Sequence, residues 1–224
     1  FIITIISLRI LRCDSNTSTS ITINGWDDFE VVKGNGKVVT EPRSISKFDQ
    51  LTVSGSIEVN GIIGKETKLS ITGDDNLIAL IETKVENGSL VITSMKSYTT
   101  NHPIKIDLVT PEMRRINTKG SSDVKFSGLN ATVMTVDSAG SSDIILSCEV
   151  GGLNVWAKGS AKIKAKDCKA DKARVAISGS GKATVNVKTA LRVDIKGSGK
   201  VLYHGNPSLS KSIKGSGSIK QIKE

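Results

Sequence analysis

Three residues beyond the glycine of each of six Gly-Ser pairs the chain places a polar side chain, in the order Asp123, Asp143, Lys162, Lys182, Lys200 and Ser218. Two carboxylates at consecutive stations are the ingredients of a divalent-cation site, or of an acid/base pair that cleaves a polysaccharide. A turn edge in water gives neither carboxylate the pKa shift such catalysis needs, so a solvated charged edge is the simpler reading. The lysines carry more weight. Lys158, Lys196 and Lys214 stand immediately before their glycines, and with Lys162, Lys182 and Lys200 they are expected to line one corner as a basic stripe. Like charges on neighbouring rungs repel, and a polyanion laid along them relieves that repulsion while releasing counterions. These lysines are the candidate polyanion-binding residues. For an exported protein the polyanion is an acidic polysaccharide or the phosphates of lipopolysaccharide. Lysines without Arg forks or stacking aromatics do not build a sequence-reading nucleic-acid surface.

The Ser after each glycine (Ser121, Ser141, Ser160, Ser180, Ser198, Ser216) recurs too regularly to be a nucleophile, which is one activated residue beside one base. A ladder of hydroxyls satisfying the turn backbone from coil to coil is expected instead. Cys148 and Cys168 fall eight and nine residues after their glycines, near-equivalent positions that allow either a disulfide or two stacked free thiols. Three Cys and two His are too few for a disulfide scaffold, a four-ligand zinc site or a His-based metal centre. No metal and no cofactor is expected. His102 and His204 precede Pro and Gly in turn-like sequences and read as surface residues.

The elements that must position these side chains come from a repeat. The glycines Gly120, Gly140, Gly159, Gly179, Gly197 and Gly215 are spaced 20, 19, 20, 18 and 18 residues apart. Apolar and polar residues alternate on both sides of each, as in Val193-Asp-Ile-Lys-Gly-Ser-Gly-Lys-Val-Leu-Tyr203. Period-two alternation means half-buried strands, and a short coil of strands buries its inner face only by stacking on its neighbours. The expected fold is all-β: a right-handed parallel β-helix, or solenoid, of 18–20-residue coils. Weaker copies occur at Val32–Val38 and Val53–Val59. The N-terminal half is β-rich but less regular, with a hairpin signal at Asn87-Gly88 and a short helical turn near Asn76–Ile81.

Composition sets the remaining bounds. The chain has 224 residues, 38% of them hydrophobic and only 4% aromatic, which fits a globular chain without an aromatic-lined groove as its main theme. Residues 1–150 hold 15 Lys+Arg against 18 Asp+Glu, whereas residues 151–224 hold 16 against 4. Solubility alone does not account for charge segregated in this way. Phe1–Leu8 resembles the apolar region of a signal peptide and is too short to span a membrane. Cys13 follows it, ahead of a Ser/Thr/Asn tether, as a candidate lipidation site. Export to the cell envelope is expected, with membrane contact limited to that lipid anchor. Three parts are delineated: a signal- or lipoprotein-like segment and tether (1–20), an irregular β-rich part (21–111) and the Gly-Ser solenoid (112–224).

Two stretches, Thr40–Gly55 and Gly73–Ile92, together with the Gly-Ser repeats, resemble the putative auto-transporter adhesin, head GIN domain family over about residues 30–220. The resemblance implies an exported β-helical envelope protein and carries over no catalytic residue. No repeat breaks the pattern to supply an acid, a base and a substrate clamp together, so a non-enzymatic, adhesin-like surface protein is expected. The alternatives are a polysaccharide-active enzyme on the same fold, and a periplasmic scaffold or sensor that binds envelope polymers.

Overall fold

A computed structural model describes residues 31–222, so Cys13 and the 1–20 segment lie outside the described residues. From Arg115 onward the chain stacks in parallel coils. The strands Asp123–Gly140, Asp143–Gly159, Lys162–Gly179 and Lys182–Gly197 each pair along nearly their full length with the next. Register slips between Phe126 and Leu129, and again between Ile145 and Ser147, mark where each strand bends around the core. Alternation places Ile116, Val136, Val155, Val175 and Val193 in one inward column, every member 0% exposed. β-Branched side chains fit this pleated, stacked surface, and each contributes on the order of 1.5–3 kcal/mol by leaving water.

Glycine turns the corner for two reasons. Gly120, Gly140, Gly159, Gly179 and Gly197 all adopt positive φ, between 96° and 129°. They also stack directly on one another, so a Cβ on Gly140 would lie 2.3 Å from the carbonyl oxygen of Gly120. The column begins earlier than the regular spacing suggests. Gly55 pairs with Gly120, so the weak copy at Val53–Val59 is a full member of the stack. The copy at Val32–Val38 is not: its first residues pair with Tyr98–Thr99, away from the glycine column.

The chain does not climb the stack in sequence order. Gln50–Gly55 and Glu58–Ile63 form the layer under Arg115–Gly120 and the start of the Asp123–Gly140 strand. Ser89–Ser94 and Lys105–Thr110 form the layer beneath that, again in parallel. A third layer runs backwards: Lys68–Asp74, a one-turn helix Asp75–Ile78, then Ile81–Glu86, antiparallel to the layer above. Asn87 (φ 50°) and Gly88 (φ 76°) make the tight hairpin that reverses the chain. Leu77 and Ile78 close the bottom of the core, 0% and 1% exposed. Val38–Arg43 adds one more antiparallel strand beneath Lys68–Asp74. From it the Arg43 guanidinium donates to the carbonyls of Ile78 (2.9 Å) and Ile81, groups that the sheet leaves unpaired.

The opposite end is finished differently. Ser208–Lys214 and Ser218–Gln221 each pair with one neighbour only. The inward valine column ends there in Lys211, which takes the position above Val193. An inward-pointing charge on an edge strand discourages pairing with another chain.

Candidate functional site: a charged turn edge

The turn edge is built by backbone, and the hydroxyl ladder expected of the first Ser does not form. The amides of Ser121, Ser141, Ser160, Ser180 and Ser198 donate to the glycine carbonyl one layer down, at 2.9–3.0 Å. Their side chains are exposed and take no hydrogen bond within the described residues. Because the main chain is already satisfied, the hydroxyls are redundant. The side-chain bonds come from the next residue, where Ser122 Oγ reaches Gly55 O (3.0 Å) and Ser142 Oγ reaches Gly120 O (3.4 Å). Higher layers carry Ala161, Gly181 and Gly199 at that inward position.

Beyond the turn the expected column forms in register. Asp123 pairs with Asp143, Asp143 with Lys162, Lys162 with Lys182, Lys182 with Lys200, and Lys200 with Ser218. It extends downward through Glu58 and Lys105, which spacing alone did not reveal because the chain is threaded out of order. Upward from Lys105, the edge therefore reads as three carboxylates followed by three ammonium groups. Lys164 reaches down to Asp143 at 2.9 Å and neutralises the last carboxylate. Lys162, Lys182 and Lys200 are exposed and have no ion-pair partner among the described residues. Adjacent rungs stand about 4.8 Å apart, inside the roughly 8 Å screening length of physiological salt, so these charges feel one another.

The companion column before the glycine is less continuous than expected. Lys196 and Lys214 are adjacent, but Ser178 separates Lys158 from Lys196. That interruption lowers repulsion on this side of the corner. No group of three or more His, Cys, Asp or Glu that could hold a metal occurs among the described residues.

Cys148 and Cys168 pair in register on adjacent layers, with Cα atoms 4.1 Å apart and their sulfurs bonded as a disulfide inside the core. His204 stands beside Asn186 on the outer face. His102 is more than a surface residue: its Nδ1 lies 3.2 Å from Oδ1 of Asp74, a carboxylate only 1% exposed. Thr100 donates to the other oxygen at 2.7 Å. A buried carboxylate needs such partners, and this one holds the Tyr98–Thr99 strand against the reversed layer. Next to it Asp75 is held below its ordinary carboxylate range by hydrogen bonds from Lys37 and Asn35.

Stacked parallel coils joined by glycine corners define a β-solenoid. The family model described as "Putative auto-transporter adhesin, head GIN domain" matches residues 47–207, and the chain belongs to that adhesin-like surface-protein family. Among solved structures it is similar to a putative adhesin from Bacteroides fragilis, with 23% identity and a TM-score of 0.70 over 85% of this chain and 100% of that one. It is also similar to a putative lipid binding protein from Parabacteroides distasonis, at 29% identity and a TM-score of 0.50, over 87% and 100% of the two chains. A putative adhesin from Parabacteroides merdae shares 18% identity, with a TM-score of 0.53 over 86% of this chain and 99% of that one. No curated protein sequence matches the chain. No described helix is long and apolar enough to cross a membrane.

Proposed function

We propose that this protein is an exported, non-enzymatic component of the cell envelope that holds acidic polysaccharide or lipopolysaccharide against the upper turn edge of its solenoid. The observation that carries the reading is the unpaired column Lys162, Lys182 and Lys200, flanked by Lys158, Lys196 and Lys214. The fold gains nothing from like charges on adjacent rungs, so their retention in register is explained by a ligand that neutralises them. Each contact is exposed and individually weak; several along one linear polymer add up to modest, salt-sensitive binding. Cys13 is the lipidation site in this reading and tethers the solenoid to a membrane through the Ser/Thr/Asn stretch. The Cys148–Cys168 disulfide suits an oxidising compartment.

Two experiments test the reading. A Lys162/Lys182/Lys200→Gln variant is expected to lose most binding to acidic glycans at low salt, whereas equal binding by both proteins removes the edge as the site. Palmitate labelling of cells making the wild type and Cys13→Ser checks the anchor. Label on both, or full-length protein found only in the cytosol, contradicts it.

A further inference from the structure

Outside the lysine edge, the outer face ahead of the turn carries one residue the solenoid does not need. Trp156 lies between Val155 and Ala157, which are 0% and 1% exposed, so alternation puts the indole on the outer surface. It is partly exposed there. In other layers the same row is occupied by Asn117, Asp137, Ala176, Asp194 and Ser212. No packing rule of the coil asks for an aromatic at a position that Ala or Ser fills one or more layers away. The layer above supplies Ala176 directly over it, which leaves an open step beside the ring.

The surroundings of that step are polar and paired. On one side Arg115 bonds Asp137 at 2.8 Å, and on the other Arg192 and Arg174 meet Asp194 at 3.1 and 3.8 Å. Asp137 and Asp194 stand three rungs apart in the row, about 14 Å at the usual interstrand step. An apolar platform framed by a few convergent hydrogen-bonding groups is the general form of a small-ligand site. The face of an indole is electron-rich and takes the C–H face of a sugar ring, while Arg–Asp pairs offer donors and acceptors to hydroxyls at its rim. Cations exceed anions around the step, because the three arginines and Lys158 face only two aspartates. The excess favours a ring that carries a carboxylate.

We infer that Trp156 is the platform of a saccharide subsite that stacks one carboxylated pyranose, of uronic-acid type, with Arg174 and Arg192 taking its carboxylate. The inference deepens the acidic-glycan reading above and rests on it for the ligand class. The two surfaces are separable, since the lysine edge holds charge whereas the platform holds a ring.

The chain has two tryptophans, so a Trp26→Phe background makes indole fluorescence report Trp156 alone. In that background, titration with hexagalacturonate is expected to change the fluorescence saturably, and maltohexaose at equal concentration to change it little. Trp156→Ala in the otherwise wild-type chain is expected to weaken hexagalacturonate binding about tenfold by calorimetry, the scale of one lost stacking contact. Trp156→Phe should recover most of that loss. Ala176→Glu, a charge this row already tolerates at Asp194, should abolish the fluorescence response with unchanged thermal unfolding. The Lys162/Lys182/Lys200→Gln variant should keep the fluorescence change at saturation with a lowered affinity. Hexagalacturonate binding that is unaltered by Trp156→Ala and leaves Trp156 fluorescence unchanged overturns the platform while the lysine edge stands. An equal response to both hexasaccharides overturns the carboxylated ligand.

Discussion

The lower and upper layers share one glycine column and one continuous core, yet they handle charge in opposite ways. Below Asp143, ion pairs recur through the layers: Lys37–Asp75, Arg43–Glu41, Lys84 with Glu82 and Glu86, Arg114–Asp49 and Arg115–Asp137. Above Lys164, the pairs shrink to a loose Lys166–Asp167 contact at 4.0 Å and the arginines around Asp194. The ends differ in the same sense. The lower end is covered by a reversed layer and stitched by Arg43, whereas the upper end is left open and guarded by Lys211. The same layer geometry thus forms with its charges paired or unpaired. The upper lysines are spare capacity, and spare capacity on a surface is where a ligand is to be sought.

Substitution in the glycine column should cost the most. Gly140→Ala should destabilise the protein by about 3 kcal/mol or more, because it combines positive φ with a Cβ driven into the Gly120 carbonyl. Gly36→Ala, at φ 79° with nothing within 4 Å, should cost only about 1 kcal/mol. Denaturant unfolding of the two variants checks both values, and equal losses would show that stacking of the column is not the constraint.

The next effect concerns the buried carboxylate of the lower end. Asp74→Ala removes the group that His102 and Thr100 hold, leaving a hydroxyl and a ring nitrogen without their partner, at a cost of about 1–3 kcal/mol. Hydrogen exchange should accelerate at Val32–Lys33 and Tyr98–Thr99 first and leave the coils above Arg115 protected. Uniform acceleration would mean the lower layers do not open separately.

At the upper end the expected change is in association more than in stability. Lys211→Val completes the inward valine column on an open edge, and sedimentation should then show stronger concentration-dependent association than the wild type. A monomeric Lys211→Val variant would assign the guarding role elsewhere.

The smallest effect is the pH response of the lower surface. Asp75 has its folded pKa depressed by Lys37 and Asn35, and Glu66 by Lys68. Their stabilisation is present above the ordinary carboxylate values of about 4 and is lost as pH falls through the depressed folded values. Glu66 is exposed and Asp75 partly so, which leaves both pairs open to solvent screening and keeps the loss slight. Melting curves between neutral and strongly acidic pH should show it flattened in Lys37→Gln.

The coils from Arg115 upward were legible in the sequence because each carries its own glycine, its own alternation and nearly constant spacing. The layers below were legible only in pieces. Gly55 was visible as a weak copy, but the 65 residues before Gly120 hide that the two are neighbours. A period analysis assumes that successive copies stack, and this chain inserts two layers beneath an earlier one. The Asp74–His102 pair, 28 residues apart, escaped for the same reason. The turn hydroxyls misled because a recurring Ser suggests a side-chain role where the backbone amide already makes the bond. Trp156 carried a usable signal, its alternation against Val155 and Ala157, which a low aromatic content made easy to pass over.

In the proposed function the spare lysines of the upper edge, and not basic charge in general, bind a polyanion. The direct measurement is the salt dependence of hexagalacturonate affinity for the wild type and for two triple variants of equal charge change, Lys162/Lys182/Lys200→Gln and Lys37/Lys68/Lys84→Gln. Affinity should decline steeply with salt for the wild type, with a slope shallower by about two to three for the upper variant and a wild-type slope for the lower variant. Identical slopes for the two variants would contradict the proposed function.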